Sequence, residues 1–208
     1  MKPILLDFPI PILTPRLILR PPQIGDGMQL NAAVLESLEM LKKFMPWVKE
    51  IPTINDSEEF VRLSAANWIL KKNDEPYLPI FIFDKVDQKL LGCTGYHHFD
   101  WEIPSLETGY WLRSNAIGQG FMTEAINALT QYAFKELNVK RISISCEISN
   151  QRSKKIPERL GFIQEATLKG NRRNLITQEI TDTLIYARYD LNDLPNLSVE
   201  WNKKSDAF

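Results

Sequence analysis

Residues 106–125 read LETGYWLRSNAIGQGFMTEA and constrain the fold more than any other stretch of the chain. The residues up to Leu112 have strand character. From Gly120 onward the spacing of Ala125, Ile126, Leu129, Tyr132, Ala133 and Leu137 marks one face of a helix. Between the two lies Gly118-Gln119-Gly120. Glycines so placed permit backbone angles that turn successive N–H groups toward one point. The following helix adds unpaired N–H groups and the positive end of its dipole. The result is a phosphate cradle, or else a tight strand-to-helix turn without a ligand. Two familiar phosphate motifs are excluded. A dinucleotide fingerprint needs glycine where Thr123 stands, and a P-loop needs lysine where Phe121 stands.

The other elements are arranged around this unit. Residues 16–20 form a short apolar strand between Pro15 and Pro21. Asp26 opens a helix carrying Met28, Leu30, Ala33 and Val34, and residues 37–44 continue helically to the stop at Pro46. Asp56-Ser57-Glu58-Glu59 places acidic side chains at the start of a helix that runs to Lys72. Strands are expected at 77–83, 90–99 and 106–112, then the helix from Gly120 and an alternating strand at 141–148. A short helix at 150–160, made irregular by Pro157, and strands at 162–169 and 183–189 complete the order. This order predicts one α/β (α+β) domain over residues 1–191, a sheet flanked by helices. A polar tail, 192–208, is expected to be loosely attached.

Composition excludes several function classes. Lys and Arg total 25 and Asp and Glu 26, so the net charge of −1 argues against a general polyanion binder. Hydrophobic residues are 44% of the 208, enough for a sizeable core. No stretch has the length and apolarity of a membrane span, and the N-terminus lacks the pattern of a secretory signal. Cys93 and Cys146 read as reduced core thiols, which places the protein in the cytoplasm. No Cys/His spacing suits zinc, so no metal is expected. The charge is uneven: residues 135–173 hold ten basic and four acidic side chains, leaving the remainder at −7. Arg152, Lys154 and Lys155 in that segment can attract a phosphorylated ligand.

These landmarks resemble the GNAT superfamily of N-acetyltransferases, and closely its ribosomal-protein N-terminal (alanine/serine) acetyltransferase branch. The matching residues are Thr14-Pro15-Arg16-Leu17-Ile18-Leu19-Arg20, His98-Phe99-Asp100-Trp101 and Glu107-Thr108-Gly109-Tyr110-Trp111-Leu112. Further along come Gly118-Gln119-Gly120-Phe121-Met122-Thr123-Glu124-Ala125, Asn150-Gln151-Arg152-Ser153 and Leu160-Gly161-Phe162. They occur in family order over residues 14–189.

The resemblance implies a mixed sheet splayed between two parallel strands, with acetyl-CoA in the splay as co-substrate. It implies that the pyrophosphate sits on the frame Asn115-Ala116-Ile117-Gly118-Gln119-Gly120 and the helix start at Phe121, Met122 and Thr123. Asn115 stands where the family has Gln or Arg. Asn150 matches the residue that holds the pantetheine arm, with Arg152 and Lys155 beside it, and a helix cap is its ordinary alternative. Acetyl transfer to a primary amine, by direct attack, needs a base for the amine and an N–H for the oxyanion, expected at Trp111 or Leu112. It also needs a proton for the thiolate, and Ser153 matches the family's acid. Glu107 is the candidate base. Some relatives carry Glu 19 residues beyond the Ser, where this chain has Arg172.

His97 and His98, adjacent on a strand, should point to opposite faces. Trp47, Trp68 and Trp101 are candidates for the acceptor pocket. The acceptor is a protein N-terminal amine or a small amine, and the sequence leaves room for a homodimer. A non-catalytic acyl-CoA sensor and a ribosome-associated binding protein are the competing readings.

Overall fold

The computed structural model describes residues 2–71 and 77–201. One nine-stranded sheet carries the chain, in the order β7-β8-β6-β5-β4-β3-β2-β1-β9. The strands are β1 (Ile12–Leu13), β2 (Leu17–Arg20), β3 (Leu78–Asp84), β4 (Leu90–Asp100), β5 (Ser105–Leu112), β6 (Arg141–Glu147), β7 (Ile163–Arg173), β8 (Ile180–Arg188) and β9 (Glu200–Trp201). The helices are α1 (Gly27–Leu41), α2 (Ile54–Leu70), α3 (Phe121–Lys135) and α4 (Gln151–Arg159).

Strand alternation sorts the sheet's two faces. Leu106, Tyr110 and Leu112 of β5, with Tyr96 of β4, face α3 and join Ala125, Ile126, Leu129, Tyr132 and Ala133 in the larger core. Trp111 and Cys93 face the other way and pack with Leu30, Ala33, Val34 and Leu41 of α1. The Tyr96 hydroxyl donates to Leu129 O at 2.7 Å, so its polar tip is satisfied within the core.

Every neighbouring pair of strands is antiparallel except β5 with β6. That parallel pair is short: Ser105, Leu106 and Glu107 match Arg141, Ile142 and Ser143. Past Glu107 the strands diverge, and among the described residues the β5 backbone through Leu112 has no strand partner on that side. This is the splay expected from the resemblance.

Several boundaries differ from the sequence reading. α1 is one helix through Leu41. α2 starts earlier than its acidic cluster, because Thr53 caps it: the Thr53 side chain accepts from Asp56 N, and Asp56 accepts from Thr53 N, a capping box. The described helix ends at Leu70, and Lys72 lies outside the described residues. The tail is not loosely attached as far as it is described. Trp201 pairs with Ile12 and packs edge-on against Tyr132, with ring centroids 5.4 Å apart. Leu194, Leu197 and Val199 lie against the core, and Asn127 Nδ2 donates to Pro195 O. Alternate polar residues hid this apolar series. Residues 202–208 lie outside the described residues.

Candidate active site

The loop between β5 and α3 is built on two left-handed glycines, Gly118 at φ +83° and Gly120 at φ +82°. Only glycine takes these angles without Cβ strain. The turn they form leads into Phe121, Met122 and Thr123, whose N–H groups open α3 and have no intrahelical acceptor. Phe121 and Met122 bury their side chains in the core, so their backbone is what they offer a ligand.

Arg16 clamps the loop from 103 to 108 residues away in sequence. Its Nε donates to Glu124 Oε2 at 2.6 Å and its guanidinium to Gln119 O at 3.0 Å. The group also lies 4.5 Å from the Phe121 ring centre. Thr14 Oγ1 and Arg16 N hold the other Glu124 oxygen.

Asn115 and Gln119 spend their side chains on the loop itself. Asn115 donates from N and Nδ2 to Glu36, and Gln119 Nε2 donates to Asn115 O. Burial alone would raise the Glu36 carboxyl; hydrogen bonds from Arg113 and the Asn115 N–H hold it below its ordinary value. Ile117 is half-buried, while Arg152 and Lys155 are exposed on α4. The basic surplus is partly neutralised, since Arg141, Lys154 and Lys169 pair with Glu165, Glu158 and Asp182.

Across the splay stands the N-terminus of α4. Asn150 is its cap: Asn150 Oδ1 accepts from Ser153 N at 3.1 Å. The structure therefore shows Asn150 as the cap of α4.

Ser153 Oγ donates to the Tyr110 hydroxyl at 3.3 Å, and that hydroxyl donates to Ser153 O at 2.9 Å. The second bond has a local cause. Ser153 O would normally accept from the N–H four residues on, but that residue is Pro157, which has none. Tyr110 supplies the missing donor from β5 and so ties α4 across the open splay. Burial raises the Tyr110 phenol well above its ordinary value, so it stays protonated as donor. Burial also pushes the Cys146 thiol up to about 11, with Arg172 and the Ser153 hydroxyl acting in the opposite direction.

The opposite face opens into a cleft of about 610 Å³ between α1, α2 and the β4–β5 floor. Its walls are chiefly apolar and aromatic: Leu30, Val34, Met45, Trp47, Phe60 and Trp111, with Asp56, Ser57 and His97 as polar members. Of the three candidate tryptophans only Trp47 lines it. Trp68 is buried, donating from Nε1 to Pro79 O at 2.6 Å, and Trp101 stacks on Phe99.

Glu107 is on the cleft face, directly opposite His97 in the β4–β5 register. It does not line the cavity itself. Its carboxylate accepts a very short hydrogen bond from Ser145 Oγ and sits 3.3 Å from His98 Nδ1. The expectation of opposed histidines fails. The register shifts between His97 and Asp100, and His98 adopts φ +50°. This break in alternation brings the two rings to 4.8 Å, edge to face. Burial lowers the His97 pKa, so the ring beside the cleft is neutral near pH 7.

The family model described as Acetyltransferase (GNAT) domain matches residues 16–163. The chain belongs to the GNAT acetyltransferase family. It is an acetyl-CoA-dependent N-acetyltransferase by family. The ribosomal-protein-serine acetyltransferase of Escherichia coli (strain K12) is 25% identical over 173 residues, 80% of this chain and 94% of that protein. YdaF of Bacillus subtilis (strain 168), by name in the ribosomal N-acetyltransferase class, is 37% identical over 79 residues. That match spans 38% of this chain and 43% of YdaF. The crystal structure of the Microcin C7 self immunity acetyltransferase MccE, in complex with acetyl-CoA and AMP, superposes with a TM-score of 0.74 at 26% identity, covering 85% of this chain and 93% of that one.

Within this GNAT domain, the glycine loop and Ser153 lie at the splay and Glu107 lies on the cleft face of β5. The sequence did not disclose the Arg16 clamp or the Tyr110 hydroxyl bridging to Ser153. Arg16 carried a signal, as a charged residue within an apolar strand landmark, but nothing named Glu124 as its partner. No described helix is long and apolar enough to cross a membrane.

Proposed function

We propose that the acceptor is the N-terminal amine of a protein, with a ribosomal protein as the class favoured by the named relatives. The observation that carries the reading is the splay itself. The cradle of Gly118, Gly120 and α3 lies at the end of β5, Ser153 and Tyr110 lie across the gap, and a cleft of chain-end size opens at the same strand. Acetyl-CoA bound with its pyrophosphate on the cradle brings its thioester against the hydrogen-bonded Tyr110 and Ser153, and the amine enters from the cleft.

The amine attacks the thioester carbonyl. The unpartnered β5 backbone near Trp111 and Leu112 offers N–H groups to the oxyanion. Collapse breaks the C–S bond, the thiolate takes its proton from the Ser153 hydroxyl, which Tyr110 holds in place, and the serine oxygen regains a proton from water as CoA leaves. The amine's proton goes to His97, which reaches the cleft, with Glu107 the charge opposite it in the β4–β5 register. Arg172 occupies the place where some relatives carry a base, so this pair is the available substitute. Arg152 and Lys155 lie where they can attract the CoA phosphates.

A thiol-release assay with acetyl-CoA tests the acceptor. Peptides bearing a free N-terminus should be turned over at least ten times faster than their N-formylated forms or than spermidine. Faster turnover of the polyamine would overturn the protein acceptor. CoA binding with no turnover of any amine would favour the sensor reading instead.

A further inference from the structure

The bulge in β4 gathers three metal-ligating side chains that a regular strand would have kept apart. His97, His98 and Glu107 each present one donor atom, and these atoms lie within 4.8 Å of one another. The geometry points to a binding site for one divalent ion of the zinc type at the mouth of the acceptor cleft.

Four observations support it. His98 holds φ +50°, a conformation that costs a non-glycine residue energy and that turns its ring toward its neighbour. His97 Nδ1 is buried without a hydrogen-bond partner among the described residues. Glu107 is oriented by Ser145 on one oxygen and faces His98 with the other, the outer support that ligating carboxylates usually have. The donor set, two imidazoles and one carboxylate, is that of open zinc sites whose remaining position is filled by water.

Zinc bonds of about 2.0–2.2 Å set tetrahedral donors roughly 3.4 Å apart. The trio must therefore close by roughly 1.4 Å. His98, with its side chain 77% exposed, can make that movement. The ion is not a requirement of acetyl transfer. It takes both members of the proposed base pair, so binding should block the reaction.

Cobalt(II), followed by visible absorption, and zinc(II), followed by calorimetry in a non-coordinating buffer, test the site on the full chain. The expected result is one equivalent bound, with tetrahedral or five-coordinate cobalt bands and no sulfur-to-cobalt charge transfer. His98→Asn keeps a residue that tolerates the left-handed backbone and should weaken binding at least tenfold, as should Glu107→Gln. Absence of saturable one-to-one binding, unchanged affinity in both variants, or a thiolate spectrum from Cys93 or Cys146 overturns the site. Binding without loss of acetyl transfer upholds the site and overturns the base assignment of His97 and Glu107 instead.

Discussion

Ser153, Tyr110 and Pro157 show how one missing N–H organises a reacting group. Because Pro157 cannot donate to Ser153 O, the Tyr110 hydroxyl does so, and the same hydroxyl accepts a hydrogen bond from Ser153 Oγ. Tyr110→Phe leaves that carbonyl without its donor. The expected cost is about 1–3 kcal/mol in chemical denaturation. A fall in kcat should accompany it, because Ser153 is no longer held. Ser153→Ala should lower kcat roughly 100-fold at saturating substrate while acetyl-CoA affinity stays within a factor of three, as single-turnover and binding measurements would show. Full turnover in Ser153→Ala would remove the acid role. Individual residues were legible in the sequence where one residue type has few alternatives. Gly118 and Gly120 announce left-handed turns because other residues pay for them. Tyr110 gave no such sign, since its task depends on a proline 47 positions later. His98 misled, because strand alternation holds only while the register does, and the bulge that breaks it has no glycine to mark it.

At the scale of elements, α2 and the C-terminal segment depended on local chemistry that composition concealed. The acidic run at 56–59 suggested the helix start, yet the cap is Thr53, whose hydroxyl meets Asp56 N while Asp56 returns the bond. Thr53→Ala should cost about 1 kcal/mol, read as a shift of a few degrees in thermal melting. Residues 192–201 read as tail because every apolar residue there is isolated among polar ones. Their partners lie on α3 and β1, which no local window contains. Trp201→Ala removes the contact with Tyr132 and the end of β9, and should cost roughly 2 kcal/mol, less than a fully buried tryptophan because Trp201 is half-buried. A melting temperature unchanged by Trp201→Ala would restore the loosely attached tail.

For the whole molecule, the parallel contact between β5 and β6 is the deciding feature. Three paired positions join the strands, and beyond them the strands part, with Tyr110 bridging to Ser153. The order of elements predicted the sheet and its helices. The sequence of strands alone did not fix where the pair would part, because that follows from packing α3 and α4 on one face while Tyr110 bridges the gap. Acetyl-CoA bound in this opening links the two halves and should stabilise the fold by about 2.7 kcal/mol at 100 times its Kd, which for a chain this size is roughly 5–10 °C in Tm. Gly120→Trp tests the cradle on that scale. A side chain at φ +82° strains the turn and enters the space before the Arg16 guanidinium, whose Nη2 is 3.5 Å from the position a Cβ would take. The variant lies at a surface loop, so the unliganded protein should still melt cooperatively, a few degrees below the parent. Its Tm should then hardly respond to acetyl-CoA. If the variant instead gains the full shift, the pyrophosphate is held elsewhere, and the exposed basic side chains of α4 become the next place to look.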